Sequence, residues 1–311
     1  MLRGKLAIAL QKVGNILRKQ GDVAGALTQY RLGLEVTERL VAIAPTSLLH
    51  RRSLAITHLK LGDLHGDKLD HANALAEYRT AVAQLVELSK QDAANVERLR
   101  DLAYGHEKVG DAYASAQNHA EALAAYRASQ TIRDALVVKD PTNTDWLAYA
   151  ADSHATVGEQ LLATKDPAGA LLEFRAFLAM AERLSARDPT NTDWQLGAAS
   201  ARSKIGDVLL GQKKFAEALV EYRADLDIAK RVSDREPSNL GNRANLATTY
   251  DEVGKALVAL KDYPAALEAY EAGRVIAADL VSRAPDNKRW MVTATELAAR
   301  VAETKARIRG R

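Results

Sequence analysis

Apolar positions along this chain fall at helical spacing. Between Leu102 and Pro141, residues 102–117 carry Leu102, Val109 and Tyr113, with Ala103 and Ala112 beside them. Asn118-His119 breaks that run. A second run, 120–138, sets Leu123, Tyr126, Ile132, Leu136 and Val137 on an approximate i, i+3, i+4, i+7 stripe. Asp140-Pro141-Thr142-Asn143-Thr144-Asp145-Trp146 follows. The proline ends the preceding helix, and Asn143, Thr144 or Asp145 can cap the next one. No alternating β-branched run occurs anywhere, so the pattern predicts paired helices and no sheet.

The same unit recurs along the chain. Gly14, Gly62, Gly110, Gly158, Gly206 and Gly254 follow one another at intervals of 48 residues, each preceded by Val13, Leu61, Val109, Val157, Ile205 or Val253. Twelve positions after each glycine stands Ala26, Ala74, Ala122, Ala170, Ala218 or Ala266, and then Leu27, Leu75, Leu123, Leu171, Leu219 or Leu267. Sixteen after it comes Tyr30, Tyr78, Tyr126, Phe174, Tyr222 or Tyr270. A period of roughly 20–50 residues marks a solenoid or array. Glycine inside a helix costs about 1 kcal/mol against alanine, so six copies cost about as much as a domain's whole stability. The repeated cost predicts a gain at that register: close approach of a neighbouring helix, with the alanine across the pair and the aromatic filling the gap beside it.

An aliphatic-Gly pair, Ala twelve further on and an aromatic four beyond that resembles the tetratricopeptide repeat (TPR), a helix-turn-helix unit of about 34 residues. The resemblance covers essentially the whole chain. It implies an all-α fold, an α-solenoid wound as a right-handed superhelix of six TPR-like helix pairs plus a C-terminal capping helix. The expected organisation is a single repeat domain, 1–311, with repeats near 4–51, 52–99, 100–147, 148–195, 196–243 and 244–290 and a cap helix at 291–309. The added residues of the longer period are assigned to a longer second helix and its Asp-Pro-Thr-Asn connector. The proline expected near the end of each second helix is replaced by Glu38, Val86, Asp134, Glu182, Lys230 or Ala278. The long-period form resembles arrays of bacterial multidomain signalling proteins, which accompany kinase, caspase-like or TIR domains; none of these is present in the sequence. The stretch 291–308 aligns as a seventh first helix, with Glu296, Arg300, Glu303, Lys305 and Arg307 as the polar outer face that a terminal cap needs.

Composition narrows the chemistry. With 43 Lys+Arg against 40 Asp+Glu the net charge is +3, which gives no global reason to expect nucleic acid or a membrane as partner. The absence of cysteine removes disulfides, Cys-based zinc sites and thiol chemistry. The apolar run 6–10 is interrupted by Gln11 and Lys12, short of a secretory core, and no window approaches a membrane span. A cytoplasmic location is expected. There is no G-x-S-x-G and no phosphate-cradling glycine loop, so neither an enzyme nor a cofactor is expected.

The candidate site follows from the resemblance. Directly after each glycine stand Asn15, Asp63, Asp111, Glu159, Asp207 and Lys255, at the position that in TPRs faces the concave groove. Asp63, Asp111, Glu159 and Asp207 form an acidic stripe suited to a basic segment. The alternative is internal pairing, through Lys60, Lys108 and Lys204 three residues earlier or through Arg31, Arg79, Arg127, Arg175 and Arg223 beside the aromatics. Further groove positions lie three before the glycine (Gln11, Leu59, Glu107, Ala155, Ser203, Asp251) and four after it (Arg18, Gly66, Ala114, Leu162, Leu210, Val258). The partner-binding set is therefore Asp63, Asp111, Glu159, Asp207, Glu107, Leu162 and Leu210.

His58, His106 and His154 share one column, which Arg202 and Tyr250 continue. Residues related by the repeat lie along an axis rather than around one point, so the column reads as interhelix packing rather than as a metal site. Trp146, Trp194 and Trp290 read as packing at the junctions between repeats. The function implied is a non-catalytic scaffold that binds a protein or peptide in the concave groove. The alternative is a ligand-sensing regulatory module of a bacterial signalling system, taking a peptide or small molecule.

Overall fold

The computed structural model describes residues 2–310, with side chains from Gly4 onward. Among the described residues there are thirteen α-helices and no strand: α1 (Leu2–Lys19), α2 (Val23–Ile43), α3 (Leu48–Asp67), α4 (His71–Gln91), α5 (Val96–Ser115), α6 (His119–Lys139), α7 (Thr144–Ala163), α8 (Pro167–Arg187), α9 (Thr192–Gly211), α10 (Phe215–Arg235), α11 (Leu240–Ala259), α12 (Tyr263–Arg283) and α13 (Lys288–Arg309). The chain forms two compact units, Met1–Lys165 and Asp166–Arg311. Within each unit every helix packs on the next in sequence, and α1, α3 and α5, like α9, α11 and α13, also touch the next first helix along. This is the packing of an α-solenoid built from TPR-type pairs.

The first helices α3, α5, α7, α9 and α11 have 20 residues and the second helices 21. The long period is thus shared by both helices, and the expectation of an elongated second helix is corrected. Each first helix from α3 onward starts on a side-chain cap: Ser47, Asn95, Asn143, Asn191, Asn239 and Asn287 accept from backbone N–H groups in the first turn. The turn inside each pair also repeats. Leu69, Gln117, Lys165, Lys213 and Lys261 adopt left-handed backbone at φ 59–65°, and Gly21 does so at 81°. Only Gly21 does this freely, since a side chain there costs about 1–2 kcal/mol. The return is a bond from the next residue back across the helix end, as in Asp70 N to His65 O at 2.9 Å and Lys214 N to Leu209 O at 2.9 Å.

The glycine column has a different cause from the one expected. A Cβ on Gly110 would stand 2.6 Å from both Cδ1 and Cε1 of Tyr126, and Gly14, Gly62, Gly206 and Gly254 face the rings of Tyr30, Tyr78, Tyr222 and Tyr270 in the same way. What approaches is the aromatic ring of the same pair, lying against the first helix, and not a neighbouring backbone. The alanine column is the helix crossing: Ala26, Ala74, Ala122, Ala170, Ala218 and Ala266 are all at most 1% exposed. On α13, Leu297, Val301 and Thr304 are buried. Arg300 departs from the polar outer face expected of it: its Nε lies 2.7 Å from Asp251 Oδ1, and its guanidinium sits over the Tyr270 ring. In the basic tail, Lys305 reaches Glu271 at 2.7 Å and Arg307 covers the Tyr263 ring, while Arg311 lies outside the described residues.

Candidate functional site

Helical repetition brings the inner faces of α1, α3, α5 and α7 side by side in the first unit. They enclose a groove of about 820 Å³, which Leu40 of α2 and Arg133 and Leu136 of α6 help to line. Its apolar wall is Ile8, Leu49, Ile56, Leu59, Trp146 and Tyr149. Leu49 and Tyr149 remain 67% and 48% exposed there, an unusual cost for large side chains inside a concavity.

Charges in the groove are mostly matched. Arg52 donates from Nε to Asp101 at 2.5 Å and from a terminal nitrogen to Glu97 at 3.0 Å, and the bond to Asp101 raises its already high pKa. Arg133 is clamped between Glu107, the Tyr149 carbonyl and the Tyr149 ring. Glu97, Arg100 and Asp152 keep exposed faces toward the groove. His50 Nδ1 and Ser53 Oγ are buried polar atoms without a partner, and they do not bond to one another. No group of three or more His, Asp or Glu is placed to hold a metal among the described residues.

Of the positions expected from sequence, Glu107 lies in this groove, as do Gln11 and Leu59 of its column. Asp63 and Asp111 open instead onto an adjoining cleft of about 240 Å³, with Arg18, Tyr78, Tyr104 and Lys108. Glu159 and Leu162 are exposed on α7, and Asp207 and half-buried Leu210 belong to the second unit.

The acids of the stripe are not equivalent. In four of the pairs the tyrosine hydroxyl donates across to this column: Tyr30 to Asn15 at 2.8 Å, Tyr78 to Asp63 at 3.1 Å, Tyr126 to Asp111 at 2.8 Å and Tyr222 to Asp207 at 2.7 Å. Asp63, 5% exposed, also accepts from Tyr104 at 3.0 Å and pairs with Arg18 at 3.3 Å. Burial, with Asp63 beside them, pushes the Tyr78 and Tyr104 hydroxyls far above the usual phenol range. Lys108 reaches Asp111 at 2.6 Å, and Lys60 stands 3.6 Å from Asp63. Arg31, Arg79, Arg127, Arg175 and Arg223 are exposed and do not bridge to the acids, which corrects that alternative.

The histidine column packs between helices. His58 Nδ1 meets Glu77 at 2.6 Å, and His154 lies between Gln130 at 2.6 Å and Asp134 at 3.3 Å. Arg202 takes the same place between Glu221 at 2.8 Å and Glu182 at 2.5 Å. Burial lowers the pKa of His106 below the usual imidazole value.

Arg52, Ser53, Ile56, Arg100, Asp101 and Tyr149 were not singled out by sequence. Steps of three or four back from Leu59 and Glu107 along the helix reach Ile56, Arg52 and Ser53, and then Tyr104, Arg100 and Asp101. The signal was therefore available in the periodicity. Arg133, from a second helix, has no such signal.

Residues 6–42 match the family model described as tetratricopeptide repeat. No curated protein matches the sequence. Among solved structures, the chain is similar to the nuclear import adaptor Nro1 of S. pombe, at 10% identity and a TM-score of 0.60, covering 94% of this chain and 98% of that one. It is also similar to BtubC from P. vanneervenii, at 18% identity and a TM-score of 0.59, covering 81% and 90%. A third likeness is to a signal transduction ATPase with a tetratricopeptide repeat sensor from Pyrococcus horikoshii, at 11% identity and 0.54, covering 96% of this chain and 42% of that one. At these identities the likeness is one of fold. No helix among the described residues is long and apolar enough to cross a membrane. One copy thus matches the tetratricopeptide-repeat model in sequence, the likeness of fold extends over most of the chain, and a glycine facing a tyrosine ring recurs at the same register in both units.

Proposed function

We propose that the protein is a non-catalytic interaction scaffold whose first unit holds a peptide segment of a partner protein in the groove of α1, α3, α5 and α7. The observation that carries this reading is the open apolar and aromatic wall, with Leu49 and Tyr149 exposed inside a groove of about 820 Å³. The paired charges around it supply orientation. Glu97 and Asp152 offer acceptors to a basic side chain of the ligand, in keeping with a partner that carries a basic segment, while Arg100 takes a carboxylate or carbonyl. Glu107 belongs to the proposed contact surface through its hold on Arg133. Asp111, Glu159 and Leu162 extend that surface along the first unit, and Asp207 and Leu210 are the matching positions of the second.

The test is selection of binding peptides from a random library against the full chain, followed by calorimetric titration of the selected peptide. Tyr149→Ala and Trp146→Ala should each weaken binding by about tenfold or more, a change of about 1.4 kcal/mol. Glu217→Gln, exposed on α10 in the other unit, should leave affinity unchanged. Selected peptides that bind both aromatic variants as tightly as the parent would refute the groove.

A further inference from the structure

The outer side of α1 carries Leu6, Ala9, Val13 and Ile16 at i, i+3, i+7 and i+10, one continuous stripe. Leu6, Val13 and Ile16 are 49%, 44% and 55% exposed, although the array repeats these columns. In the third copy they are Leu102, Gly105, Val109 and Ala112, and in the sixth Leu246, Thr249, Val253 and Ala256, all of them buried. What covers them is the second helix of the preceding pair. Leu102, Val109 and Ala112 share one cluster with Ala81, Leu85 and Leu88 of α4, and a Cβ on Gly105 would meet Val82 and Leu85. Leu61 and Leu64 lie with Ala26 and Tyr30 of α2, and Thr57 faces Gly33 of α2. The face of α1 thus carries the same columns that take a helix in the later copies.

Charge states what kind of helix. α1 contains Arg3, Lys5, Lys12, Arg18 and Lys19 and no acidic residue. Arg18 is committed to Asp67 and Asp63. Lys5, Lys12 and Lys19 are exposed and follow one another at seven-residue steps along the edge of the stripe. Lys12 lacks the acid three residues on that Lys60 and Lys108 have, because Asn15 stands in the acidic column. Two copies of α1 set face to face and antiparallel would bring these cations together without a counter-charge, which disfavours that self-association.

We propose that the outer face of α1 is a docking surface for an amphipathic helix of a partner protein, with its apolar face on Leu6, Ala9, Val13 and Ile16 and acidic residues along the edge that meets Lys5, Lys12 and Lys19. This surface is separate from the groove, whose α1 contributions are Gly4, Ile8 and Gln11.

The probe is a labelled peptide of residues 215–235, the sequence of α10, which packs on α11 in its own unit, where Thr249 donates to Asp225, and which carries Glu217, Glu221, Asp225, Asp227 and Asp234. A second peptide replaces those five acids with Lys. Fluorescence anisotropy with the full chain should show the acidic peptide binding at about 10–100 μM and the basic one at least about tenfold more weakly. Val13→Glu with Ile16→Glu should abolish binding, and Lys5→Glu with Lys12→Glu should weaken it several-fold. These sites are exposed, so helicity by circular dichroism should match the parent, and Tyr149→Ala should bind the peptide normally. No binding at about 100 μM, equal binding of the two peptides, or binding indifferent to the Val13 and Ile16 changes overturns the proposal. So does a dimer, seen by sedimentation, that those changes dissolve. Binding of the parent to phosphatidylserine vesicles, lost in the same variant, would overturn it in favour of a membrane surface.

Discussion

Alanine at Gly110 sets two effects against each other, and the structure decides the sign. On helix propensity alone the change stabilises by about 1 kcal/mol. The new Cβ, however, would stand 2.6 Å from Cδ1 and Cε1 of Tyr126 and 2.9 Å from Cζ. Contact between carbons is comfortable near 3.5–4.0 Å, so the ring must retreat by about 1 Å. It is poorly placed to do so. Tyr126 is 5% exposed, and its hydroxyl donates to Asp111 at 2.8 Å. Overpacking of this kind costs about 1–3 kcal/mol, and losing a hydrogen bond to a charged acceptor costs about 1.5–3 kcal/mol more. After subtracting the propensity gain, Gly110→Ala should destabilise by about 1.5–5 kcal/mol. Gly66→Ala is the control: its nearest outside atom is the Tyr78 hydroxyl oxygen at 3.7 Å, so it should be neutral or stabilise by up to about 1 kcal/mol. The assay is urea unfolding followed by far-UV circular dichroism, read as midpoint and slope, since a repeat array need not unfold in one step. In a Tyr126→Ala background the penalty of Gly110→Ala should vanish. A raised midpoint for Gly110→Ala, or the same penalty with and without the ring, would refute the tyrosine-platform explanation.

The acidic column should divide by burial: Asp63→Ala should cost about 3 kcal/mol, because it leaves two tyrosine hydroxyls without their acceptor and Arg18 with Asp67 alone, while Asp207→Ala, exposed with one such bond, should cost about 1 kcal/mol by the same unfolding assay. In the second unit, burial pushes the carboxyl of Asp225 up to about 7 and that of Glu252 up to about 8. Asp207 and Asp225 add to the shift at Glu252, while its bond from Ser203 and the charge of Lys255 oppose it. Both groups hold their protons more tightly folded than unfolded, so their contribution is fully present below about pH 4, where both states are protonated, and is lost as pH rises until the folded groups ionise at about 7–8. The melting temperature should drop between about pH 4 and 8 and level off above, by the equivalent of up to about 4 kcal/mol per group, and Glu252→Gln should flatten the drop.

The periodicity of the chain is the strongest information it carries, because each hairpin is too thin to bury its own apolar face and must repeat to do so. The number of helices, their boundaries near Asn118-His119 and Pro141, and the burial of Ala122 and Ala170 were all legible from it. The cause of the glycine column was not legible, because sequence registers that a small residue is required and not which atoms require it. Likewise the equal helix lengths and the inward turn of Arg300 needed coordinates.

What the sequence determined by itself is local and repetitive: hairpins of two helices, capped at Asn or Ser, packed at fixed columns every 48 residues. The tertiary structure alone decided which equivalent columns differ. Asp63 is sealed between Tyr78, Tyr104 and Arg18, whereas Asp207 keeps a single tyrosine, and Val13 stands in solvent where Val109 is buried. The physical reason is that burial is a property of neighbours. Residues in one column share a backbone position, but each meets the side chains that its own flanking copies present, and the first copy in the array meets none on its outer face.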